Sequence, residues 1–328
     1  MNLITPVEYL ALPTVNHSHE LLLMGSCFAE SIGALLKASK FRCDVNPFGI
    51  LYNPLSVATA LREMLGDKVY TNEDLLYYQG EYHSLMHHGS FSSLDASDCL
   101  ATINSRLQQA RRNIRRTHHL LITFGTAWIY RYKETGNVVA NCHKLPDNKF
   151  ERYRLEPDEI ITEYVSLIDE LLERNPDLHI WFTVSPIRHT KDGMHGNQLS
   201  KAILLLAIER LQEHFPGKVW YFPTYEIMTD ELRDYRFYAD DMVHPSLLGV
   251  QYVWERFAQV CFTPETQELI KEWESIAKAL AHRPLREESE QYKRFLEQIV
   301  LNIKQLTEKY PNLEVEKELD ICHTRLRK

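Results

Sequence analysis

The sequence predicts a doubly wound α/β domain on a parallel sheet, followed by a charged helical extension. Two observations carry this. Five short apolar runs, closed by Gly, Pro or a turn, lack the polar alternation of half-exposed strands, as expected of strands covered on both faces. Between them apolar residues recur at steps of three and four, the mark of amphipathic helices. Strands alternating with helices make βαβ units with right-handed crossovers. Ligands in such folds bind beyond the carboxyl ends of the strands, so chemistry is sought just after each run.

The first run, Leu21 to Met24, ends at Gly25 and leads into a helix-like stretch from Phe28 to Ala38. The second, Phe41 to Val45, ends in Asn46-Pro-Phe-Gly49. Tyr78-Gln-Gly-Glu-Tyr82 predicts a small hairpin within residues 66 to 94, ahead of a helix marked by Leu100, Ile103, Leu107, Ala110 and Ile114. The third run, His119 to Phe124, closes at Gly125. Gly136-Asn137 then predicts a hairpin within residues 131 to 155, and both hairpin regions read as insertions over the strand ends. A helix follows on Ile160, Tyr164, Leu167, Ile168 and Leu171. The fourth run is Leu178 to Val184, ending in Ser185-Pro186. A helix on Leu199, Ile203, Leu206 and Leu211 leads to the fifth, Lys218 to Phe222. Beyond about residue 263 the chain is charged and helical, with a stripe of Phe295, Leu296, Ile299, Val300, Ile303 and Leu306. The expected division is therefore a main domain over 1–262 and an extension over 263–328. The extension packs on that domain or on a second copy, which would make a homodimer.

At 328 residues the chain accommodates two domains, or one large domain with an appendage. Hydrophobic residues make up 44% and charged residues 25%, a globular balance. A formal charge of −8 argues against a nucleic-acid partner. Five arginines between Arg106 and Arg116 accordingly read as a solvated basic face. No run of 18 apolar residues predicts a membrane span, and Met1 to Glu20 lacks the pattern of a secretory signal. Six scattered cysteines without a C-x-x-C pair fit free thiols in a reducing cytoplasm. Neither Gly-rich phosphate-loop pattern occurs, so no nucleotide cofactor is expected. His83, His87, His88, His143 and His189 fall on loops, but their spacing is not that of ligands on a helix face, and no metal is expected.

Two short patterns point to chemistry. In Asp241-Met-Val-His244 a carboxylate three residues before a histidine can hold one ring nitrogen and leave the other as a general base. In Gly25-Ser26-Cys27 a small nucleophile follows a strand and a Gly turn and opens a helix, whose N-terminus stabilises negative charge and would lower a thiol pKa. The plainer reading makes Ser26 a helix cap and Cys27 a buried small side chain. Arg188, after the fourth run, is a candidate to grip a substrate carboxylate or sugar hydroxyl, or else part of a structural ion pair.

Gly25-Ser-Cys-Phe-Ala29 resembles the signature of the GSCFA family. The resemblance continues through Asn46-Pro-Phe-Gly49, Phe124-Gly-Thr-Ala127, Asn141-Cys-His-Lys144, Thr183-Val-Ser-Pro-Ile-Arg-His189, Asn197-Gln-Leu-Ser-Lys201, Phe222-Pro-Thr-Tyr-Glu226 and Arg233-Asp-Tyr-Arg-Phe-Tyr238. It covers about residues 1 to 262, and that family looks like a branch of the SGNH, or GDSL-type, hydrolases. The resemblance implies a flavodoxin-like, three-layered sheet with a Ser-His-Asp type site. Set on the G-D-S-x-x-E block of that superfamily, Cys27 falls on the nucleophile and Ser26 one residue early. Gly49 falls on the oxyanion glycine, and Asp241 with His244 fall on D-x-x-H. The G-x-N-D block meets Gly125-Thr-Ala-Trp128, so Ala127 replaces the oxyanion Asn, a loss that typically costs about 10²–10³ in rate. Asn141 or His143 is the expected substitute donor, and His189 joins Arg188 as a binding candidate.

These residues lead to an expected hydrolase that cleaves an ester, such as an O-acyl group on a carbohydrate, with Cys27 or Ser26 as nucleophile. Two other readings stand beside it. One is an acyltransferase using the same site. The other is a non-catalytic binding protein on a hydrolase fold.

Overall fold

The computed structural model describes residues 5–8, 12–282, 284–286 and 288–327. Of the N-terminal stretch read above for a targeting signal, residues 1–4 and 9–11 lie outside them. In chain order, strand β1 (Glu20–Gly25) feeds helix α1 (Cys27–Ala38), strand β2 (Arg42–Val45) and helix α2 (Pro54–Leu65). A hairpin of β3 (Leu76–Tyr78) and β4 (Glu81–His83) precedes α3 (Ala96–Ile114) and β5 (His119–Phe124). Then come β6 (Trp128–Tyr132), β7 (Val138–Val139) and β8 (Phe150–Arg154), which pair as a separate antiparallel sheet. The chain continues through α4 (Pro157–Arg174), β9 (His179–Val184), α5 (Gly193–His214) and β10 (Val219–Tyr221). It ends with a one-turn helix α6 (Thr224–Glu226), then α7 (Leu247–Cys261), α8 (Pro264–Ala281), α9 (Glu290–Lys309) and α10 (Glu316–Leu326).

The central sheet runs β2-β1-β5-β9-β10 with every pair parallel. That is the flavodoxin-like order, and its topological switch lies between β1 and β5. The five apolar runs of the sequence are these five strands. Alternation along β1 serves both faces. Leu22 and Met24 join the core beneath α2, α3, α4 and α5, whereas Leu21 and Leu23 join the one beneath α1 and α7. Three layers result. Both predicted hairpins form. Among the described residues no helix is long and apolar enough to cross a membrane.

Three details differ from the sequence reading. Helix α2 is unforeseen; Asn53 caps it by accepting the Ser56 N–H at 2.8 Å, and Pro54 opens it. Helix α5 keeps half of the predicted stripe: Ile203 and Leu211 are buried, but Leu199 and Leu206 are 39% and 53% exposed, while Asn197, Ser200 and Lys201 are buried. On α3, Arg106 is paired with Asp44, and Arg111 donates to the Glu63 and Lys68 carbonyls, so these two arginines are structural.

The last three helices enclose their own apolar cluster around Trp273, Leu296 and Ile303. They dock at the far end of α1 from the strand tips. Trp273 Nε1 donates to the Ala38 carbonyl at 2.9 Å, and Lys40 reaches Glu318 at 2.7 Å while lying over the Trp273 ring.

Candidate active site

The site begins with a glycine that nothing else can replace. Gly25 takes φ +131°, and a Cβ there would stand 2.1 Å from the Thr123 carbonyl oxygen of β5. Only glycine lets the two strands approach this closely where the chain turns out of the sheet. Asn46 Oδ1 accepts the Gly25 N–H at 2.9 Å, and the Thr123 carbonyl accepts the Ser26 N–H at 3.2 Å. The backbone then enters α1 at once. Ser26 is 1% exposed and caps the helix, its Oγ accepting the Phe28 N–H at 3.3 Å. Cys27, the first helical residue, is half-buried and lines a cleft of about 470 Å³.

Burial holds the Cys27 thiol above its ordinary range, and the Glu30 carboxylate adds to this. The backbone N–H groups of Cys27 and Phe28 and the charge of Lys201 pull the other way without prevailing. The lowered thiol pKa expected from the helix N-terminus is therefore reversed by desolvation.

His244 lines the same cleft. Met242 in the left-handed region, φ +61°, closes a tight turn that folds Asp241 back on its neighbours. Asp241 Oδ1 accepts the N–H groups of Val243 at 3.0 Å and His244 at 2.9 Å, and Oδ2 accepts the Nδ1–H of His244 at 2.5 Å. Those backbone donors, with the ring, hold the Asp241 carboxyl down to about 2, so it is ionised throughout the neutral range. His244 Nε2 has no hydrogen-bond partner among the described residues. Cys27 and His244 share the cleft without bonding directly; such contacts commonly tighten only with substrate.

The other predicted residues divide. Asn141, Arg188 and His189 line the cleft. Asn141 Oδ1 accepts the His143 N–H at 2.9 Å, which leaves its amide Nδ2 without a partner among the described residues. Burial, reinforced by Lys201, takes His189 down to about 4, so its ring is neutral at pH 7.

Gly49 is not available as an oxyanion donor. Its N–H is spent on the Asn46 carbonyl at 2.8 Å, and it packs against the His88 side chain. Gly125 is likewise engaged: its N–H goes to the Tyr52 carbonyl at 2.8 Å. Ala127 points into the core, with its N–H on Ser200 Oγ at 2.8 Å. His143 lies outside the cleft lining, donates from Nε2 to the Ser84 carbonyl at 2.8 Å and stacks on His83. His83 and His87 bond to Ser92 and Ser84, pinning the first insertion over the Asn46–Gly49 turn.

Several cleft residues escaped the sequence reading. Trp128 and Tyr130 come from β6 and Arg152 from β8, Lys191 and Asp192 from the loop before α5. Beneath the cleft Lys201 is 1% exposed, donating to the carbonyls of Gly125 and Ser185 at 2.6 Å each. Those residues directly follow β5 and β9. Burial, aided by Arg188, brings the Lys201 ammonium down to about 7. The one sequence signal for it was its place in Asn197-Gln-Leu-Ser-Lys201.

A family model described as the GSCFA family matches residues 20–257, and a second, described as GSCFA domain protein, C-terminal domain, matches residues 273–328. No curated protein matches the chain. Among solved structures the chain is similar to a family two carbohydrate esterase from Clostridium thermocellum, at 15% identity and TM-score 0.35 over 76% of this chain and 65% of that one. It is also similar to an acetyl xylan esterase from Butyrivibrio proteoclasticus, at 10% identity and TM-score 0.38 over 75% and 64%. A family 3 carbohydrate esterase from Clostridium thermocellum is similar at 10% identity and TM-score 0.34 over 77% and 97%.

Proposed function

The chain belongs to the GSCFA family, and we propose that its cleft cleaves an ester through Cys27, His244 and Asp241. The observation that carries this reading is the Asp241–His244 pair, its second ring nitrogen unengaged, on the cleft that Cys27 lines. In the proposed reaction His244 Nε2 takes the thiol proton as Cys27 Sγ adds to the ester carbonyl carbon. The C–O bond to the alcohol breaks, the alcohol leaves with that proton, and an acyl thioester remains. Water, deprotonated by His244, then releases the acid and restores the thiol. The N–H of Cys27 itself and the Asn141 Nδ2 are the proposed oxyanion donors, in place of the engaged Gly49 and Gly125. An O-acylated carbohydrate remains the substrate class we propose.

The test is a panel of nitrophenyl esters and O-acetylated sugars with wild type and Cys27→Ala. Turnover by wild type that Cys27→Ala loses supports the reading; turnover that survives Cys27→Ala overturns Cys27 as nucleophile. Ser26→Ala should cost about 1 kcal/mol in urea denaturation, as for a lost helix cap, and leave turnover within a few-fold of wild type. Abolished turnover in a folded Ser26→Ala protein would transfer the role to Ser26.

A binding protein on a hydrolase fold is a second reading, favoured by the engaged Gly49 and Gly125 amides and the elevated Cys27 thiol. Absence of turnover across the panel, with sugar binding that persists when Ser26, Cys27 and His244 are all replaced, would establish it.

A further inference from the structure

The charge of the cleft is out of keeping with the charge of the chain. Formal charge overall is −8, yet the cleft is lined by three strong bases, Arg152, Arg188 and Lys191, and by a single carboxylate, Asp192. That carboxylate is already used. Its side chain is 2% exposed and paired with Arg152, whose guanidinium also lies 4.2 Å from the Trp128 ring centre. Two cations are left over, and the Asp241 carboxylate beside the cleft is engaged by the His244 ring and two backbone N–H groups.

Arg188 has no carboxylate partner among the described residues. Its Nη1 donates to Gln198 Oε1 at 3.1 Å, and the same oxygen accepts the Tyr225 hydroxyl, so the guanidinium is braced by neutral groups. Its remaining N–H donors are free to bind a planar acceptor. Lys191 Nζ donates to the Tyr130 hydroxyl at 2.9 Å. Its nearest carboxylate, Asp147, is 4.0 Å away with both side chains mostly exposed, a contact worth little in water. Unneutralised cations sharing a cleft repel one another, and low-dielectric walls concentrate their field on whatever enters. The complement of such a surface is an anion.

We propose that the cleft takes an anionic substrate, an ester carrying a carboxylate that Arg188 and Lys191 bind. This rests on the reading of the cleft as an ester site, but its test does not require turnover.

Cys27 is alkylated with iodoacetate, which carries a carboxylate, and with neutral iodoacetamide, the modified residue being identified by mass spectrometry. The expected iodoacetate-to-iodoacetamide rate ratio at Cys27 is at least about tenfold that of N-acetylcysteine, falling with added salt. In Arg188→Gln/Lys191→Gln it should drop to within about twofold of the free thiol, while Arg188→Lys/Lys191→Arg should keep most of the preference. Both positions are at the cleft surface, and circular dichroism confirms folding. A ratio no higher than that of N-acetylcysteine, or one unchanged in the Gln variants, overturns the inference. A high, charge-dependent ratio without turnover on any ester would sustain the anion site and sink the hydrolase reading. Turnover with a flat ratio would do the reverse.

Discussion

His244→Ala should lose turnover of every ester that the wild-type protein cleaves, by about 10⁴-fold or more, as when a base that activates a nucleophile is removed. The expectation is steep here because the thiol of Cys27 is held protonated by burial. A thiol that ionised by itself would need no base; this one does. Asp241→Asn should approach the same loss by another route. Oδ2 now fixes the proton on His244 Nδ1 and keeps Nε2 free to accept. An amide nitrogen in that place donates instead, reversing the ring tautomer and removing the base. The fold is not at risk, because the His244 side chain is about half exposed. Initial rates on the best panel substrate decide the matter, and undiminished turnover in His244→Ala would overturn the catalytic assignment.

The second large effect concerns Lys201 and is read in stability. An unfolded lysine titrates near its ordinary value of 10.5, whereas the buried ammonium titrates at about 7. Between those values the unfolded chain binds the extra proton and the folded one does not, so stability rises with pH across the window. The gain from pH 7 to 10.5 is about 5 kcal/mol from the difference in pKa. Lys201→Met lacks this slope. Urea unfolding of both proteins at intervals from pH 6 to 10.5 should show the wild type gaining on the variant only above pH 7. Parallel curves would overturn the assignment of a depressed pKa to Lys201. The variant also leaves the Gly125 and Ser185 carbonyls without their donor, at about 1–3 kcal/mol each if they stay buried. That loss is present at every pH and is separable from the slope.

The outline of the fold was legible because apolar periodicity is local. Runs such as His119 to Phe124 are continuous in sequence, and burial on both faces leaves no polar alternation to confuse them. Gly25, Cys27, Asp241 and His244 were also found in the sequence, since each pattern spans only a few neighbours. Helix α5 shows where this ends. Of its predicted stripe Ile203 and Leu211 reach the core but Leu199 and Leu206 meet solvent, because Asn197, Ser200 and Lys201 are buried by partners in the segments just after β5 and β9 and at His189. Nothing near Lys201 in the chain announces two carbonyl acceptors 76 and 16 residues away.

The oxyanion donors went astray for the same reason. Whether Gly49 or Gly125 has a free N–H depends on which carbonyl the folded loop brings to it, here Asn46 and Tyr52. The sign of the Cys27 shift was likewise beyond the sequence: the helix N-terminus is written in the motif, but the burial that outweighs it comes from the surrounding elements. The sequence by itself determined the strands, the sharp turn at Gly25 and the Asp241–His244 pair, all set by residues within one turn of each other. Only the tertiary structure decided which donors remain free and which charges gather in the cleft, because desolvation and hydrogen-bond pairing are fixed by contacts between distant parts of the chain.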